Sequence, residues 1–306
     1  MTIVITTRDR PECLNDAVES ALGQTEQNVE VIVVDDGSAV PASVESSDPR
    51  VRCVRQDVSL GLSGARNVGL QLARAPRITF LDDDDRLLPE MVAISLRAAR
   101  ASSLPPPIAV ISGVDLVAES GQVLETTRPS SMQRGNDPLS YRPPKYKNSL
   151  VVPVPVLRSI DGWDPAITSW EHDDLLLRLN AVCSIEGIQR VTYQRTEHGR
   201  SRLTRDHLAC AEGIRRTLAK HRERFRGHQR LHAWYLAEMS KHYLRAGMWL
   251  PAVRSATRSL IRNPRRRHAL RQWVGTLLGL RVKSWYLRNR ERRKGPGIQR
   301  EGEAAT

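Results

Sequence analysis

The chain has 306 residues, of which 40% are hydrophobic and 26% are charged, a composition typical of globular proteins and too apolar for general disorder. Residues 1–200 contain 21 Lys and Arg against 27 Asp and Glu, a net charge of −6. Residues 201–306 contain 26 against 7, a net charge of +19. An acidic first part argues against a protein that binds nucleic acid over its whole surface. The basic charge therefore indicates a C-terminal region with a separate role.

Several features of the sequence concern the compartment. No apolar run approaches the roughly 20 residues that span a bilayer, and residues 1–6 lack the basic start of a secretory signal. The chain has four cysteines without CxxC spacing, namely Cys13, Cys53, Cys183 and Cys210. These features predict a cytoplasmic protein whose thiols are reduced.

Apolar strand patterns alternate with helical patterns over the first 112 residues. The predicted strands are 2–6, 30–34, 51–55, 78–81 and 108–112, and the predicted helices are 11–24, 63–73 and 89–101. This alternation predicts an α/β fold with a mostly parallel central sheet and helices on both faces. Ligands of such sheets bind beyond the carboxyl ends of the strands. We therefore expect the site near residues 6–8, 35–38, 82–85 and the loop after residue 55.

The second half of the chain has a different pattern. Residues 114–155 are rich in loop-forming residues, and residues 175–182 form a helical pattern. Further helical patterns cover 206–224, 229–245, 250–262 and 269–290. The change of pattern and the reversal of charge predict a domain boundary near residue 205. We expect a domain of residues 1–205, divided into halves 1–112 and 113–205, and a basic α-helical region 206–306 that is disordered from residue 295 onward.

Four consecutive aspartates, Asp82 to Asp85, follow the apolar strand 78–81. Carboxylates held together in a cleft repel one another unless a cation screens them. One interpretation is a site for Mg²⁺ or Mn²⁺, shared with substrate phosphates. The other is a solvated acidic loop that caps the next helix.

Two other segments follow predicted strands. The segment 35–38, Asp-Asp-Gly-Ser, is either a ligand-binding turn or an ordinary turn. Gly61 and Gly64 would let a ligand approach the backbone near Arg66, which either contacts a phosphate or is an exposed cation. The chain lacks the Walker and GxGxxG patterns, which argues against a P-loop NTPase and a dinucleotide dehydrogenase.

Four segments together resemble, in order and spacing, the family 2 glycosyltransferases of the GT-A fold, over about residues 1–205. They are IVITTRDRP at 3–11, EVIVVDDGS at 30–38, GARNVG at 64–69 and FLDDDD at 80–85. The resemblance implies a GT-A, Rossmann-like fold. It also implies an inverting enzyme that moves a sugar from a nucleotide-diphosphate sugar to a hydroxyl. Because members of the family commonly use UDP-sugars, the resemblance implies a UDP-linked donor. The acceptor would be a carbohydrate, a lipid-linked molecule or a protein, in cell-surface polysaccharide, glycolipid or glycoconjugate synthesis.

The resemblance also implies roles for individual residues. Nucleotide binding falls on Thr6, Arg8, Asp35, Asp36, Arg66, Asp82 and Asp83. Asp36 matches the family's carboxylate that accepts the N–H of the base. Asp84 and Asp82 match the metal-binding positions, for Mn²⁺ or Mg²⁺. His198 is either a phosphate or metal contact or an ordinary surface histidine.

The acceptor half of the family pattern is also recognisable. Residues 162–164, GWD, and 170–179, WEHDDLLLRL, resemble the family's acceptor segments. His172 stands where the family usually has the aspartate that deprotonates the acceptor hydroxyl, so the catalytic candidates are His172, Asp173 and Glu171. Either His172 is the base, or Asp173 has taken over, or the position has lost that role. An acidic helix N-terminus without catalytic function is the plain alternative. Histidine ordinarily titrates near pH 6.5 and aspartate near 3.9, so a histidine base predicts that activity falls on acidification already near neutral pH.

Residues 265–294 combine aromatic and aliphatic residues with many Lys and Arg. This composition favours a helix in an anionic membrane interface, which would place the protein peripherally on the inner face of the plasma membrane. A solvated helix end and a partner-binding face are equally open. Rival functions are a non-catalytic nucleotide-sugar-binding member of the same fold, and a protein that binds nucleic acid or another anionic partner through the basic tail. A nucleotidylyltransferase is disfavoured, because its Gly-rich, Lys-containing opening loop is missing.

Overall fold

The computed structural model describes residues 1–135, 147–198 and 206–264, together with Trp273 and Gly275. The chain divides into two compact units, Met1–His228 and Gln229–Thr306. Within the described residues, no helix is long and apolar enough to cross a bilayer.

The first unit is built on a nine-stranded sheet. Its strands are β1 (Thr2–Thr7), β2 (Glu30–Asp35), β3 (Val51–Arg55), β4 (Arg77–Asp82), β5 (Asp85–Leu87), β6 (Ile108–Ala118), β7 (Val123–Thr127), β8 (Val151–Pro153) and β9 (Ser184–Glu197). Their order is β3-β2-β1-β4-β8-β6-β9-β5, and β7 pairs with β6. The pairs β3–β2, β2–β1, β1–β4 and β6–β9 are parallel, whereas β5, β7 and β8 pair antiparallel. The central parallel strands confirm the predicted fold class.

Helices cover both faces of this sheet. They are α1 (Pro11–Leu22), α2 (Gly61–Leu72), α3 (Met91–Ala101), α4 (Val154–Ser159), α5 (Glu171–Val182), α6 (His207–Lys220) and α7 (Arg222–Gly227). Residues of β1 alternate between two apolar cores, because successive side chains of a strand point to opposite faces: Val4 packs in one core, and Ile3 and Ile5 pack in the other. Strands β1, β2 and β4 are thus buried on both sides, which explains their nearly continuous apolar sequences.

The structure adds strands that the sequence pattern does not predict. In the segment with a loop-rich pattern, β6 continues to Ala118 and is followed by β7 and β8. The long strand β9 contains polar residues at positions such as Gln189, Arg190 and Gln194, and it lacks the apolar run that identifies a buried strand. Pairing with β6 along its length holds β9 in the sheet.

The second unit contains the helices α8 (Gln229–Arg245) and α9 (Trp249–Arg262). They pack through small residues: the Ser240 hydroxyl donates to the Ala252 carbonyl at 2.8 Å, and the Ser259 hydroxyl donates to the Ala233 carbonyl at 2.6 Å. Helices α6 and α7 belong to the first compact unit, although their sequence shares the basic helical pattern of the C-terminal region. The domain boundary near residue 205 stays a prediction. The predicted helix 269–290 lies outside the described residues, apart from Trp273 and Gly275.

Candidate functional site

The four consecutive aspartates lie where β4 ends and β5 begins, at the carboxyl end of the sheet's central parallel strands. Their exposure alternates: Asp83 and Asp85 are buried, whereas Asp82 and Asp84 are partly exposed. Asp83 and Asp84 lie in the turn between the two strands. We call Asp83 and Asp85 the inward-facing pair and Asp82 and Asp84 the outward-facing pair; in the second pair the Asp82 side chain is 28% exposed and the Asp84 side chain 7%.

The inward-facing carboxylates have defined partners. Asp83 accepts a hydrogen bond from the Thr7 hydroxyl at 2.7 Å and an ion pair from Arg10 at 3.1 Å. Asp85 accepts from the Tyr193 hydroxyl at 2.9 Å and from the backbone N–H of Thr196 at 3.1 Å. These contacts tie the tetrad to β1 and β9, so the inward pair stabilises the turn.

Burial changes the acidity of this cluster. It raises the pKa of Asp83 to about 6, even though the hydrogen bond from Thr7 and the charge of Arg10 favour the ionised carboxylate. Burial also raises the pKa of the Tyr193 hydroxyl well above its usual value, and the negative charges of Asp85 and Asp82 add to the effect. Tyr193 is therefore a neutral hydrogen-bond donor at physiological pH.

The outward-facing carboxylates fit a divalent cation. Ligand atoms of Asp82, Asp84 and Asp85 lie within 4.8 Å of one another. All three aspartates are hydrogen-bonded: Asp82 by Arg66 and Asn148, and Asp84 by Arg10 and His198. Asp82 and Asp84 are less buried than Asp85, so they are the residues that could present oxygens to a cation. Hard carboxylate oxygens of this number suit Mg²⁺ or Mn²⁺. The Nε2 of His198 lies 2.6 Å from Asp84 Oδ2, so this histidine adjoins the same cluster.

Arg66 connects the aspartate turn to the start of α5. It is only 1% exposed. Its guanidinium donates to Asp82 Oδ1 at 2.8 Å and to Glu171 Oε1 at 3.0 Å, and it lies 4.5 Å from the centre of the Trp163 ring. Burial acts to raise the pKa of Asp82, but the charge and hydrogen bond of Arg66 hold that pKa below its ordinary value. The two acidic segments predicted to serve donor and acceptor thus meet at one arginine.

His172 lies beside this arginine. Its Nδ1 is 3.1 Å from Glu171 Oε1, and its ring makes an edge contact with Trp163 at a centroid distance of 4.8 Å. Burial acts to raise the pKa of Glu171, but the hydrogen bond and charge of His172, followed by the charge of Arg66, lower it to about 2. Glu171 is therefore ionised and orients the imidazole, whose other nitrogen, Nε2, is directed away from this contact.

Two residues that the sequence did not single out complete the acceptor side. Lys147 Nζ lies 3.2 Å from Asp173 Oδ2, and both side chains are nearly buried. Asn148 donates to Asp82 Oδ2 at 3.1 Å. The two consecutive residues thus bind the two acidic segments separately. They lie in a segment with a loop-rich pattern, so the sequence carries no signal that would have identified them.

Asp174 is fully buried and contacts three basic side chains. Arg178 Nε donates to it at 2.8 Å, Lys220 approaches to 3.0 Å, and His221 Nε2 lies at 2.8 Å. Burial opposes ionisation, but the hydrogen bonds from His221 and Arg178 hold the pKa of Asp174 far below its usual value. Arg178 also donates to the Gly162 carbonyl at 2.7 Å, so the network fixes both α5 and the turn before Trp163.

The segment after β2 is arranged around its own two aspartates. Asp35 accepts from the backbone N–H groups of Ser38 and Ala42. Burial opposes ionisation of Asp35, but the hydrogen bonds lower its pKa. Asp36 accepts from the Ser59 hydroxyl and the Leu60 backbone N–H, each at 2.7 Å.

The other residues predicted to bind the nucleotide lie at the same edge of the sheet. Thr6 is buried in β1, in register with Asp82. Arg8 is exposed and donates to the Ser59 hydroxyl at 2.9 Å, so it adjoins Asp36 through a shared serine. The contacts of Arg66 are with Asp82 and Glu171. The predicted residues therefore form two groups: one around Asp36 and one around Arg66.

The N-terminal part of the chain, which carries the first strands of the sheet, matches a known family. Residues 2–111 match the family model described as Glycosyl transferase family 2. The chain is similar to a succinoglycan biosynthesis protein, ExoO, of Rhizobium meliloti (strain 1021), with 36% identity over 137 residues, which covers 44% of this chain and 38% of that protein. It is also similar to the Escherichia coli UDP-Glc:alpha-D-GlcNAc-diphosphoundecaprenol beta-1,3-glucosyltransferase WfaP, with 35% identity over 88 residues, 28% of this chain and 35% of that protein. The chain thus spans well under half the length of these two relatives.

Solved structures also match the fold of this chain. Staphylococcus aureus TarS matches with a TM-score of 0.56 at 12% identity, over 90% of this chain and 53% of that chain. Residues 1–349 of TarS in complex with UDP-GlcNAc match with a TM-score of 0.54 at 13% identity, over 87% of this chain and 92% of that chain. Residues 2–111 therefore match glycosyltransferase family 2, and the chain has the GT-A fold.

Proposed function

We propose that this protein is an inverting glycosyltransferase that moves a sugar from a nucleotide-diphosphate sugar, UDP-linked, to a hydroxyl acceptor. One observation carries the proposal: the Arg66 guanidinium bonds Asp82 of the aspartate turn and Glu171 beside His172. A cation-binding segment and a proton-accepting segment that are about 90 residues apart in sequence thereby adjoin each other. These two segments would supply what the transfer of a sugar from a diphosphate needs: neutralisation of the charge on the leaving group and a group that accepts the proton of the acceptor hydroxyl.

The donor side of the site would be formed by the outward-facing carboxylates and the strand ends around Asp36. A divalent cation held by Asp82 and Asp84, Mn²⁺ or Mg²⁺, would neutralise the negative charge that develops on the departing diphosphate. Arg66 contributes fixed positive charge that needs no rearrangement during the reaction. Thr6, Arg8, Asp35, Asp36 and Asp83 would orient or support the nucleoside, and His198 would adjoin the diphosphate through Asp84.

We further propose that His172 is the base. It would take the proton of the acceptor hydroxyl on Nε2 while the acceptor oxygen forms a bond to the anomeric carbon. The bond from that carbon to the diphosphate oxygen breaks, and its electron pair leaves with the nucleoside diphosphate. Attack from the face opposite the leaving group inverts the anomeric centre.

The contacts of Glu171 and Asp173 favour His172 over both. Glu171 is engaged by Arg66 and by His172 Nδ1 and has a pKa of about 2, so it is a poor proton acceptor. Asp173 is paired with Lys147 at 3.2 Å, so one of its carboxylate oxygens is already engaged. The charge of Glu171 favours the imidazolium that forms when His172 takes the proton. Glu171 would therefore be a positioning residue and Asp173 part of the acceptor side.

The relatives suggest the biological setting. Both are named for glycan synthesis, one for succinoglycan and one for glucosyl transfer to a diphosphoundecaprenol-linked sugar. We propose on this basis that the acceptor is a carbohydrate or a lipid-linked glycan in cell-surface polysaccharide synthesis. A cytoplasmic location and contact of residues 265–294 with the membrane belong to the same proposal.

The function is tested by nucleotide release from a panel of nucleotide-sugars, with and without Mn²⁺, in the wild type and in Asp84→Asn. We expect a fall in turnover of about 10²- to 10³-fold in the variant, the usual cost of removing one group that stabilises developing charge. Asp16→Asn, an exposed aspartate on α1, is the matched control and should retain full activity. Equal turnover in wild type and Asp84→Asn would contradict the metal-assisted mechanism. Binding of UDP-sugar without turnover in the wild type would favour a non-catalytic member of the fold.

The identity of the base is tested by comparing His172→Ala with Asp173→Ala. The loss of a general base typically costs 10²- to 10⁴-fold, so we expect this loss for His172→Ala and a much smaller one for Asp173→Ala. The reverse order of the two variants would assign the base elsewhere.

A further inference from the structure

The turn between α8 and α9 exposes an unusual set of side chains. Every residue from Arg245 to Leu250 is exposed, a segment that we call the hairpin tip. It includes three consecutive large apolar residues: Met248 is 39% exposed, Trp249 47% and Leu250 60%. Single exposed apolar residues are common on protein surfaces, but a contiguous group at the end of a hairpin indicates an interaction site.

The two helices that carry these apolar residues are rich in cationic side chains, two of which lie in or beside the tip. Residues 229–264 contain six Lys and Arg against a single acidic residue, Glu238: Arg230, Lys241, Arg245, Arg254, Arg258 and Arg262. Arg245 precedes the apolar residues, and Arg254 follows Leu250 by one helical turn; both are exposed. Glu238 is paired with Lys241 at 2.6 Å, so its charge is already balanced within α8. The surface around the tip is therefore complementary to an anionic partner.

The outward face of α9 continues this pattern. Besides Trp249 at its start, the exposed positions of α9 are Leu250, Arg254, Arg258 and Ile261, at spacings of four, four and three residues that place these four on one side of the helix. Ile261 is 71% exposed. The opposite side, with Ala252, Ser255, Ala256 and Ser259, is buried. This helix thus presents a mixed apolar and cationic face outward and a small-residue face to its neighbour.

We propose that the hairpin tip docks on the surface of an anionic lipid bilayer. Trp249 and Leu250 would enter the boundary between headgroups and acyl chains, a depth that aromatic and aliphatic side chains favour. Arg245 and Arg254 would pair with the phosphates of the headgroups. A nucleic acid would match the cations and could stack on one aromatic ring, but it offers no partner for consecutive aliphatic side chains. This surface is distinct from residues 265–294, and it does not depend on the proposed transfer reaction.

The proposal is tested by sedimentation of the full chain with vesicles of phosphatidylcholine alone or with 30 mol% of phosphatidylglycerol, a composition chosen as the probe. We expect binding to the anionic vesicles and a fall of about tenfold in the partition coefficient for Trp249→Ser combined with Leu250→Ser. Arg245→Ala combined with Arg254→Ala should weaken binding about 30-fold at low salt and less at high salt. Leu208→Ser and Arg222→Ala, at exposed positions of the first unit, are the matched controls and should bind as the wild type does.

All of these variants keep the basic residues 265–294, so the comparison isolates the tip. If the tip variants bind the anionic vesicles as tightly as the wild type, the basic tail accounts for binding and the proposal is wrong. If the variants lose binding to a single-stranded oligonucleotide while vesicle binding is unchanged, the partner is a nucleic acid. Because the substituted side chains are exposed, circular dichroism should show unchanged helix content in every variant.

A second measurement reports the depth of Trp249. Vesicles with brominated acyl chains quench tryptophans that enter the headgroup boundary. We expect quenching in the wild type that is reduced in Trp249→Phe, since this change removes the reporter and keeps an aromatic side chain. Equal quenching in the two proteins would show that another tryptophan enters the bilayer, and the tip would be excluded.

Discussion

The molecule contains two acidic segments of four residues, 82–85 and 171–174, and the structure treats them alike. In each segment one aspartate is fully engaged in the scaffold: Asp85 by Tyr193 and Thr196, and Asp174 by a cluster of basic side chains. In each segment one other residue accepts a hydrogen bond from Arg66: Asp82 in the first segment and Glu171 in the second. Each acidic segment therefore contains both kinds of residue: buried aspartates that hold the scaffold together and residues that are candidates for the site. The partners of each side chain distinguish the two kinds.

The two scaffold aspartates differ in the charge that surrounds them. Asp85 accepts from a neutral hydroxyl and a backbone N–H, whereas Asp174 is bonded by side chains that carry charge. Removing the carboxylate in the second case takes away the counter-charge of Arg178 and one of the two counter-charges of Lys220, which also pairs with Asp164. The cost of a neutral substitution should therefore be larger at Asp174 than at Asp85.

We expect the largest effect from Asp174→Asn. Breaking a buried ion pair by removing one partner typically costs about 3–5 kcal/mol, and here the variant removes the counter-charge of Arg178 and of any protonated His221, and one of the two counter-charges of Lys220. The free energy of unfolding, measured by denaturant titration, should fall by this amount relative to wild type. Asp16→Asn, on an exposed face, is the control and should stay within about 0.5 kcal/mol. A change at Asp174 no larger than that of the control would contradict the network.

The pH dependence of stability tests whether the ionised form of Asp174 is the stabilising one. The folded protein holds the pKa of Asp174 below its unfolded value, so its contribution to stability is present above the unfolded aspartate pKa and is lost as pH falls toward the lower folded pKa. The stability difference between wild type and Asp174→Asn should therefore shrink below about pH 4. A difference that grew below that pH would show that the carboxylate is not the stabilising form.

The next effect concerns the outward-facing carboxylates, Asp82 and Asp84. If they hold a cation, Mn²⁺ should stabilise the wild type by about 2.7 kcal/mol when its concentration is 100 times the dissociation constant. Asp84→Asn should show little of this gain, because it removes one of the two oxygen donors. Thermal unfolding with and without Mn²⁺ measures the difference. An equal shift in the two proteins would place the cation elsewhere.

We expect a smaller effect from Asp85→Asn. The amide oxygen can still accept from Tyr193, but the amide nitrogen cannot accept from the Thr196 backbone N–H. Leaving one buried donor unsatisfied costs about 1–3 kcal/mol, measured by denaturant titration. Tyr193→Phe should cost a similar or smaller amount. A loss at Asp85 as large as the loss at Asp174 would remove the distinction between neutral and charged scaffold contacts.

The sheet could be predicted from the sequence where burial leaves a continuous apolar run. Strands β1, β2 and β4 are buried on both faces, and each ends at a polar segment that the fold brings to one edge. Strand β9 and the short strands β5 and β8 are defined by their partners instead of by their own composition. Local sequence carries little information about such pairings.

The candidate site could also be predicted only in part from the sequence. The positions of the acidic segments could be predicted, because motif order and strand ends both pointed to them. The contacts of Arg66 join residues separated by 16 and 105 positions in the chain, and that of Lys147 with Asp173 spans 26. Contacts of this kind depend on tertiary packing, so no local pattern reveals which carboxylate is paired and which is available.

The most direct test of the central claim is the comparison of UDP affinity and UDP release in His172→Ala. In the proposed mechanism, the segment around Asp82 and Asp84 binds the donor and His172 takes the proton. The dissociation constant for UDP in the presence of Mn²⁺, measured by calorimetry, should therefore stay within about twofold of wild type. The rate of UDP release from a UDP-sugar with acceptor should fall at least about 100-fold. A variant that loses affinity and rate together, or keeps both, would contradict the claim that the two acidic segments divide the reaction between them.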